Sequence, residues 1–461
     1  MYEKGLFIFH NDLRTSDNIG LFHASKECKE LYVCFIFTPE QAGNSNKYRS
    51  NNAIQFMIES LEDLADEVDK CGGKLNFFYA HQNRIIEEYI TTLKIECLYF
   101  NRFYTPYAMN RDKEASQICK KHNIECKMYD EYYLYTIGSI TGSGGEVYKK
   151  FTPFYEKVLH IKVDNPVKKQ LHNIVKTKTN FDNTITLDEA FRKFVKHNPN
   201  ILVHGGRNNG LKQLKKSLVE QKDYDNTRDF LNNNTSHLSA YIKFGCLSIR
   251  EVYHAYKDKY GVKHELLRQL IWRDFYANLL YAYPETMNHS YTFKNLKWKK
   301  SKVEFEKWCD GETGVPMVDA SMRQLNSTGY MHNRGRMVVA NFLVKTLFID
   351  WREGAQYFAQ KLTDYDVANN SLNWQNIAST GVYSTPYFRD MSPWIQSKKF
   401  DKDAEFIKKW IPQLKTVESK DIHNWETAYK LDKYKSLHYP KPIVEYSEEK
   451  KRVLSYYSDC K

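Results

Sequence analysis

The chain has 461 residues, 42% hydrophobic and 15% aromatic, which excludes disorder and, at this length, a single ordinary core; two or three domains are expected. Its 68 basic against 56 acidic side chains leave a net charge of +12, which points towards a polyanionic partner such as nucleic acid. The nine cysteines form no C-x-x-C pair and no Cys/His cluster at metal spacing, so reduced thiols, no bound metal and an intracellular protein are expected. MYEKGLFIFHNDLRT turns polar too soon to act as a signal peptide, and no segment is long and apolar enough to span a membrane, so a soluble protein is expected.

In chain order, five β-rich runs come first: GLFIFH, ELYVCFIF, KLNFFYA, ECLYFN and IECKMYD. Stretches of helical period separate them, such as Met57, Leu61, Leu64 and Val68 on one helix face. Near-continuous apolar strands alternating with helices predict a doubly wound parallel sheet, α/β in class, over about 1–134. No G-x-G-x-x-G follows the first strand, which excludes the dinucleotide fingerprint. TGSGGE at 141–146 reads as a surface hairpin or loop. The irregular segment 135–205 reads as a long interdomain connection, and 206–461 as an all-helical domain that holds most of the tryptophans.

Four segments of the helical part could carry chemistry. In NNNTSHLSAYIKFGCLS, Thr235, Ser236 and Ser239 precede a helix-like stretch, where hydroxyls and free N–H groups suit a phosphate or an ordinary helix cap. In RQLIWRDFYANLLYAY, Leu270, Phe275 and Leu279 can face a core, while Gln269, Trp272 and Arg273 share another face, which suits a base or a flavin ring or equally a buried Trp anchor with a surface ion pair. MHNRGRM places His332, Asn333, Arg334 and Arg336 just before an apolar helix, with no second group at hydrolase-triad spacing. KNLKWKKSK sets five lysines around Trp298, which fits either a solvated loop or a phosphate-tracking rim. A fifth segment, DYDVANNSLNWQNIASTG, has little apolar content, yet Asp366, Asn370 and Trp374 fall on one face of a helix.

Together these segments resemble the photolyase/cryptochrome flavoprotein family from residue 5 to about 440. The resemblance rests on DLRTSDN, TSHLS, LIWRDFY, VDASMRQLNSTGYMHNRGRM and DWREGAQYF followed by the fifth segment. It implies an α/β antenna domain, a long linker and a helical domain holding FAD. By position, Tyr224, Thr235, Ser236, His237, Leu238 and Ser239 match groups around the FAD phosphates, and Gln269, Arg273, Arg336, Asp364, Tyr365, Asp366 and Asn370 match groups around the flavin and adenosine. Asn370 matches the amide facing flavin N5, and Arg336 with Asp364 an ion pair beside the ring. Trp374, Trp351 and Trp298 match the tryptophan chain that carries electrons to excited flavin.

The resemblance also bears on the substrate. Asn333 and Arg334, with Trp272 and Met337, match the pocket of enzymes that repair cyclobutane pyrimidine dimers; enzymes acting on (6-4) products carry a catalytic His where this chain has Asn333. Arg228 and Gln396 match DNA contacts around the lesion. Two positions depart from the best-known dimer enzymes: Gln269 stands where they have Glu, and Asn376 where they have a second pocket Trp. Loss of that aromatic wall removes on the order of 1–3 kcal/mol of stacking. The expectation is a monomeric, FAD-dependent, light-driven repair lyase acting on UV-damaged single- or double-stranded DNA, with a blue-light receptor or a (6-4) enzyme as alternatives. A folate or deazaflavin antenna is left open.

Overall fold

All five apolar runs form strands: β1 (Tyr2–Phe9), β2 (Cys28–Phe37), β3 (Leu75–Tyr79), β4 (Cys97–Asn101) and β5 (Glu125–Tyr129). They make one parallel sheet in the order β3-β2-β1-β4-β5, so the winding reverses between β1 and β4. β1 is buried without interruption from Gly5 to Phe9, and β2 from Leu31 to Phe37. Burial on both faces is what removes the usual apolar–polar alternation from such strands. The computed structural model describes residues 1–169, 171–384 and 390–459.

The helix Asn51–Lys70 packs on this sheet, capped by Ser50, whose Oγ accepts from the Ala53 N–H at 3.1 Å. Leu61, Leu64 and Val68 are buried as expected, but Met57 is only half-buried and Ile54 and Ile58 take its place. The helix is covered on a second side, because Gly206 N donates to Ser60 Oγ at 2.9 Å. A Cβ at the neighbouring Gly205 would stand 2.1 Å from the Phe56 carbonyl oxygen, so only glycine permits that approach.

The segment 135–205 is more structured than an irregular connection. It contains the helices Phe151–Val158 and Leu187–Phe194, the second opened by a capping box between Thr186 and Glu189. Its 141–147 portion is a hairpin turn, closed by a bridge from Thr141 to Val147. Residues 173–185 run along the sheet: Val175 N donates to Leu31 O (3.0 Å), Tyr79 N to Asn183 O (2.9 Å) and Ile185 N to Phe77 O (3.0 Å). The outer side of β3 is thereby occupied.

Two compact units result. One comprises Met1–Asn198, Val203–Lys222 and Ser236–Pro284; the other comprises Pro199–Leu202, Asp223–Thr235 and Glu285–Lys461. Among the described residues no strand follows β5. The second unit is built from helices including Pro316–Thr328, Asn333–Lys345, Trp351–Lys361 and Val367–Ala378, around a core with Trp308, Leu343, Trp351, Phe358, Trp374 and Trp425. Gly354 makes this packing possible, since a Cβ there would lie 2.2 Å from Trp374 Cη2 and 2.6 Å from Leu343 Cδ2. All eight described cysteines are free thiols, and no described helix is long and apolar enough to cross a membrane.

Candidate functional site

In the second unit, DYDVANNSLNWQNIASTG forms the helix Val367–Ala378, with Asp366 as its N-cap accepting from Asn369 N at 2.9 Å. Asp366 and Asn370 are half-buried and Trp374 is buried, so this face is neither solvated nor a simple packing stripe. Asn370 Nδ2 donates to the Ala355 carbonyl at 3.0 Å, which fixes the amide plane. Just before the helix, Asp364 accepts from Arg336 Nη2 at 3.1 and 2.9 Å through its two oxygens, and Arg336 Nε donates to the Met331 carbonyl at 2.9 Å. Tyr330 adds an aromatic face 5.9 Å from the Arg336 guanidinium, and its hydroxyl lies 3.1 Å from Thr235 Oγ1. Tyr365 packs half-buried against the core of this unit.

A second cluster in this unit centres on Arg334. His332 is the N-cap of Asn333–Lys345, its ring nitrogen accepting from Arg334 N at 3.1 Å. Asn333, Arg334 and Arg336 therefore form the helix's first turn rather than a lead-in to it, because an imidazole acts as cap. Arg334 Nη2 meets Asp229 Oδ2 at 2.7 Å, Nη1 donates to Gln396 Oε1 at 3.4 Å, and the guanidinium lies 4.3 Å over Phe400. Asn333 is exposed, with Nδ2 3.8 Å from Met337 Sδ. Arg228 lies near Asp225 (3.7 Å) and the Tyr224 ring (5.9 Å).

The three expected tryptophans occupy one packed region. Trp374 is ringed by Phe358 at 5.0 Å and Trp308 at 6.2 Å; Trp351 donates from Nε1 to Ser290 Oγ at 3.1 Å; half-buried Trp298 lies 5.0 Å from Phe348 and touches the same core. Trp308, fully buried, donates to the Val339 carbonyl at 3.0 Å. Its contact with Trp374 spans 66 residues of sequence, and no local spacing announces it.

In the first unit, Ser236, His237, Leu238 and Ser239 precede and open a single short turn, Ser239–Lys243, which has no side-chain cap. Ser239 is the first residue of that turn instead of lying ahead of it, and His237 takes φ 50°, so the hydroxyls do not cap a long helix as one reading of the segment allowed. Ser236 O accepts from Gln213 Nε2 at 2.9 Å. The helix Glu265–Ala282 buries Leu270, Phe275 and Leu279 and leaves Gln269, Trp272 and Arg273 half-buried on another face, as the spacing indicated.

Each residue of that face is held. Arg273 Nη1 donates to the Tyr132 carbonyl at 2.5 Å and the guanidinium lies 4.5 Å over Tyr133. Trp272 is stacked on Phe151 at 3.6 Å and 4°, and the Tyr276 ring lies 5.5 Å from it. Gln269 Nε2 donates to Glu265 Oε1 at 2.8 Å. Beneath the face, Asp274 accepts from Leu134 N (2.8 Å) and Tyr135 N (3.3 Å); burial pushes its carboxyl up to about 7, against the pull of Arg273 and these N–H groups. Phe151, Glu265 and Asp229 were not singled out by sequence reasoning. Phe151 meets Trp272 only through the fold, whereas Glu265 stood visible at i,i−4 from Gln269.

Residues 6–171 match the family model described as DNA photolyase, and residues 266–459 the model described as FAD binding domain of DNA photolyase. The chain belongs to the DNA photolyase family. It is 35% identical to the deoxyribodipyrimidine photo-lyase of Buchnera aphidicola subsp. Baizongia pistaciae, covering 99% of this chain and 98% of the relative. The Escherichia coli enzyme of the same name is 32% identical, with 97% of each chain covered. Among solved structures, an archaeal photolyase from Sulfolobus tokodaii with two FAD molecules superposes with a TM-score of 0.87 at 39% identity, covering 99% of this chain and all of that one. A Synechocystis cryptochrome superposes at 0.88 with 26% identity, covering 98% and 99%.

The donor set suits a flavin nucleotide. Within the second unit it offers a fixed guanidinium, a fixed amide and carboxylates. Among the described residues no group of three or more His, Cys, Asp or Glu side chains is placed to hold a metal ion.

Proposed function

We propose that this protein is a deoxyribodipyrimidine photo-lyase that reverses cyclobutane pyrimidine dimers in DNA, with residues 206–461 as its FAD-binding, catalytic part. The observation that carries the reading is the face of Val367–Ala378 with the Arg336–Asp364 pair beside its start: half-buried polar groups locked by the protein and ending on a buried indole. The names of the full-length relatives support the same reaction. FAD, when bound there, would supply one-electron photochemistry with no net redox change.

The residues divide the remaining work. Tyr224, Thr235, Ser236, His237, Leu238 and Ser239 hold the phosphate end of the cofactor, and Arg273, Asp364, Tyr365 and Asp366 its ring and adenosine ends. Asn370 has one amide hydrogen committed to Ala355, which leaves Oδ1 and the second N–H for a flavin; an amide donates or accepts and would thus tolerate a change in the ring's protonation. Arg336 is pinned by Met331 and Asp364, and its fixed positive charge favours an anion nearby in low dielectric. Trp374, Trp351 and Trp298 deliver electrons from solvent. Asn333, Arg334, Met337, Gln396, Arg228 and Trp272 receive the flipped lesion, whose extraction costs a few kcal/mol that damage already reduces. At the carboxyl ends of β1 and β3, buried His10 Nδ1 and Gln82 Nε2 have no partner among the described residues, and we place the antenna pigment there, by the reversal of strand order.

The test is lesion reversal by the reduced, FAD-loaded protein in blue light against darkness. One oligonucleotide carries a thymine cyclobutane dimer and another a (6-4) product, each single- and double-stranded. Light-dependent loss of the first alone is expected. Loss of the second alone overturns the use made of Asn333. Reversal of neither by a photoreducible flavoprotein assigns the chain to the photoreceptors. A single monomeric peak in sizing with light scattering is expected for both free and DNA-bound protein.

A further inference from the structure

Gln269 is one of the two positions at which the resemblance sets this chain apart from the dimer enzymes, and the structure gives its amide a neighbour of its own. Glu265, one turn earlier on the helix Glu265–Ala282, accepts from Gln269 Nε2 at 2.8 Å. Its other oxygen lies 3.8 Å from Arg268 Nη1, and the Glu265 side chain keeps only 14% of its exposure. Arg268 is itself laid over the rings of Phe151 and Tyr155, at 5.4 and 5.3 Å. Two rings hold a guanidinium, the guanidinium holds a carboxylate, and the carboxylate holds the amide.

An ionised carboxylate only accepts hydrogen bonds. It therefore dictates which end of the amide turns towards it: the NH2 group, never the oxygen. Donation through the hydrogen trans to Oε1 leaves Oε1 and the second N–H side by side. The imide edge of a thymine carries the complement, an N3–H donor next to the C4 carbonyl acceptor. We infer that Glu265 is a positioning residue that makes Gln269 a neutral donor–acceptor reader of the pyrimidine N3–H/C4=O edge of the lesion. The inference rests on the proposed repair of cyclobutane dimers and adds Gln269 to the residues that receive the lesion. Without Glu265 the amide turns over freely, and the two ends of the reader are scrambled.

The test is dark binding of FAD-loaded protein to oligonucleotides carrying either a thymine dimer or the same dimer methylated at N3 of both rings, followed by fluorescence anisotropy. Wild type is expected to bind the unmethylated dimer roughly tenfold or more tightly, the order of one two-point base contact. In E265A that preference falls to within a few-fold, with FAD content and affinity for undamaged DNA unchanged; E265Q, whose amide oxygen still accepts, retains most of it. A full preference in E265A overturns the role of Glu265 and leaves the repair reading intact. Equal loss in E265Q and E265A, with FAD lost as well, marks Glu265 as structural only and likewise overturns it. Wild type that binds both dimers equally overturns the role of Gln269 as reader. Wild type with no affinity for either dimer sinks the repair reading, and this inference with it.

Discussion

The parallel sheet and the helix Val367–Ala378 use their side chains in opposite ways. β1 and β2 bury unbroken runs from Gly5 to Phe9 and from Leu31 to Phe37, and Phe7, Ile8, Val33 and Cys34 have no exposed surface at all. Their identities answer to volume and shape. The helix gives up part of its packing surface: Asp366, Asn369 and Asn370 stay half-buried and hydrogen-bonded, and stability rests on Leu372, Trp374 and Ala378. A region that is all packing should lose stability first when altered, and a region with a polar wall should lose chemistry first.

The largest separation is expected from Phe100→Ala, in a fully buried position of β4. It should cost about 3–5 kcal/mol in urea unfolding and leave the flavin spectrum of the surviving folded protein unchanged. A flavin change in that variant would break the contrast. Gly354→Ala sits between the two classes, because its Cβ meets both Trp374 and Leu343. We expect a loss of about 1–3 kcal/mol together with slower photoreduction, measured by stopped illumination. Trp374→Phe should abolish photoreduction of oxidised flavin but spare repair after chemical reduction. Unaltered photoreduction would remove Trp374 from the electron path.

The smallest expected effect concerns pH. Asp274 is raised to about 7 by burial, so between the ordinary carboxyl range and 7 the folded state holds a proton that the unfolded chain has released. Stability from this group therefore falls as pH rises through that window. Asp274→Asn, whose amide oxygen can still accept from Leu134 N and Tyr135 N, should raise the melting temperature at pH 8 relative to wild type by more than at pH 5, by a few degrees at most. An equal gain at both pH values would show that the carboxyl ionises normally.

Legibility in the sequence followed the same division. The five strands were readable because double burial turns them into unbroken apolar runs, and the Gln269, Trp272, Arg273 face because helical period is local. The approach of Gly205 and Gly206 to Phe56, Ser60 and Asp63 on the helix Asn51–Lys70 was not, since it brings together segments about 146 residues apart. The helix Leu187–Phe194 was missed despite its capping box, Thr186 with Glu189, because only two of its residues are buried and its apolar stripe is short. His332 as a cap escaped because imidazole is not among the usual capping side chains. Phe151 against Trp272 and Trp308 against Trp374 were beyond reach for one reason: stacking between distant segments leaves no spacing to count.

The strip formed by residues 173–185 has a consequence for synthesis. The outer side of β3 is closed by Asn183 and Ile185, which leave the ribosome 108 and 110 residues after Leu75. At ordinary translation rates of about 5–20 residues per second, the nascent chain carries that edge uncovered for roughly 5–20 s. For that interval the uncovered edge of β3 is open to pairing with neighbouring chains on the same message. Slowing translation between residues 80 and 185 should lower soluble yield more than the same delay placed after residue 185.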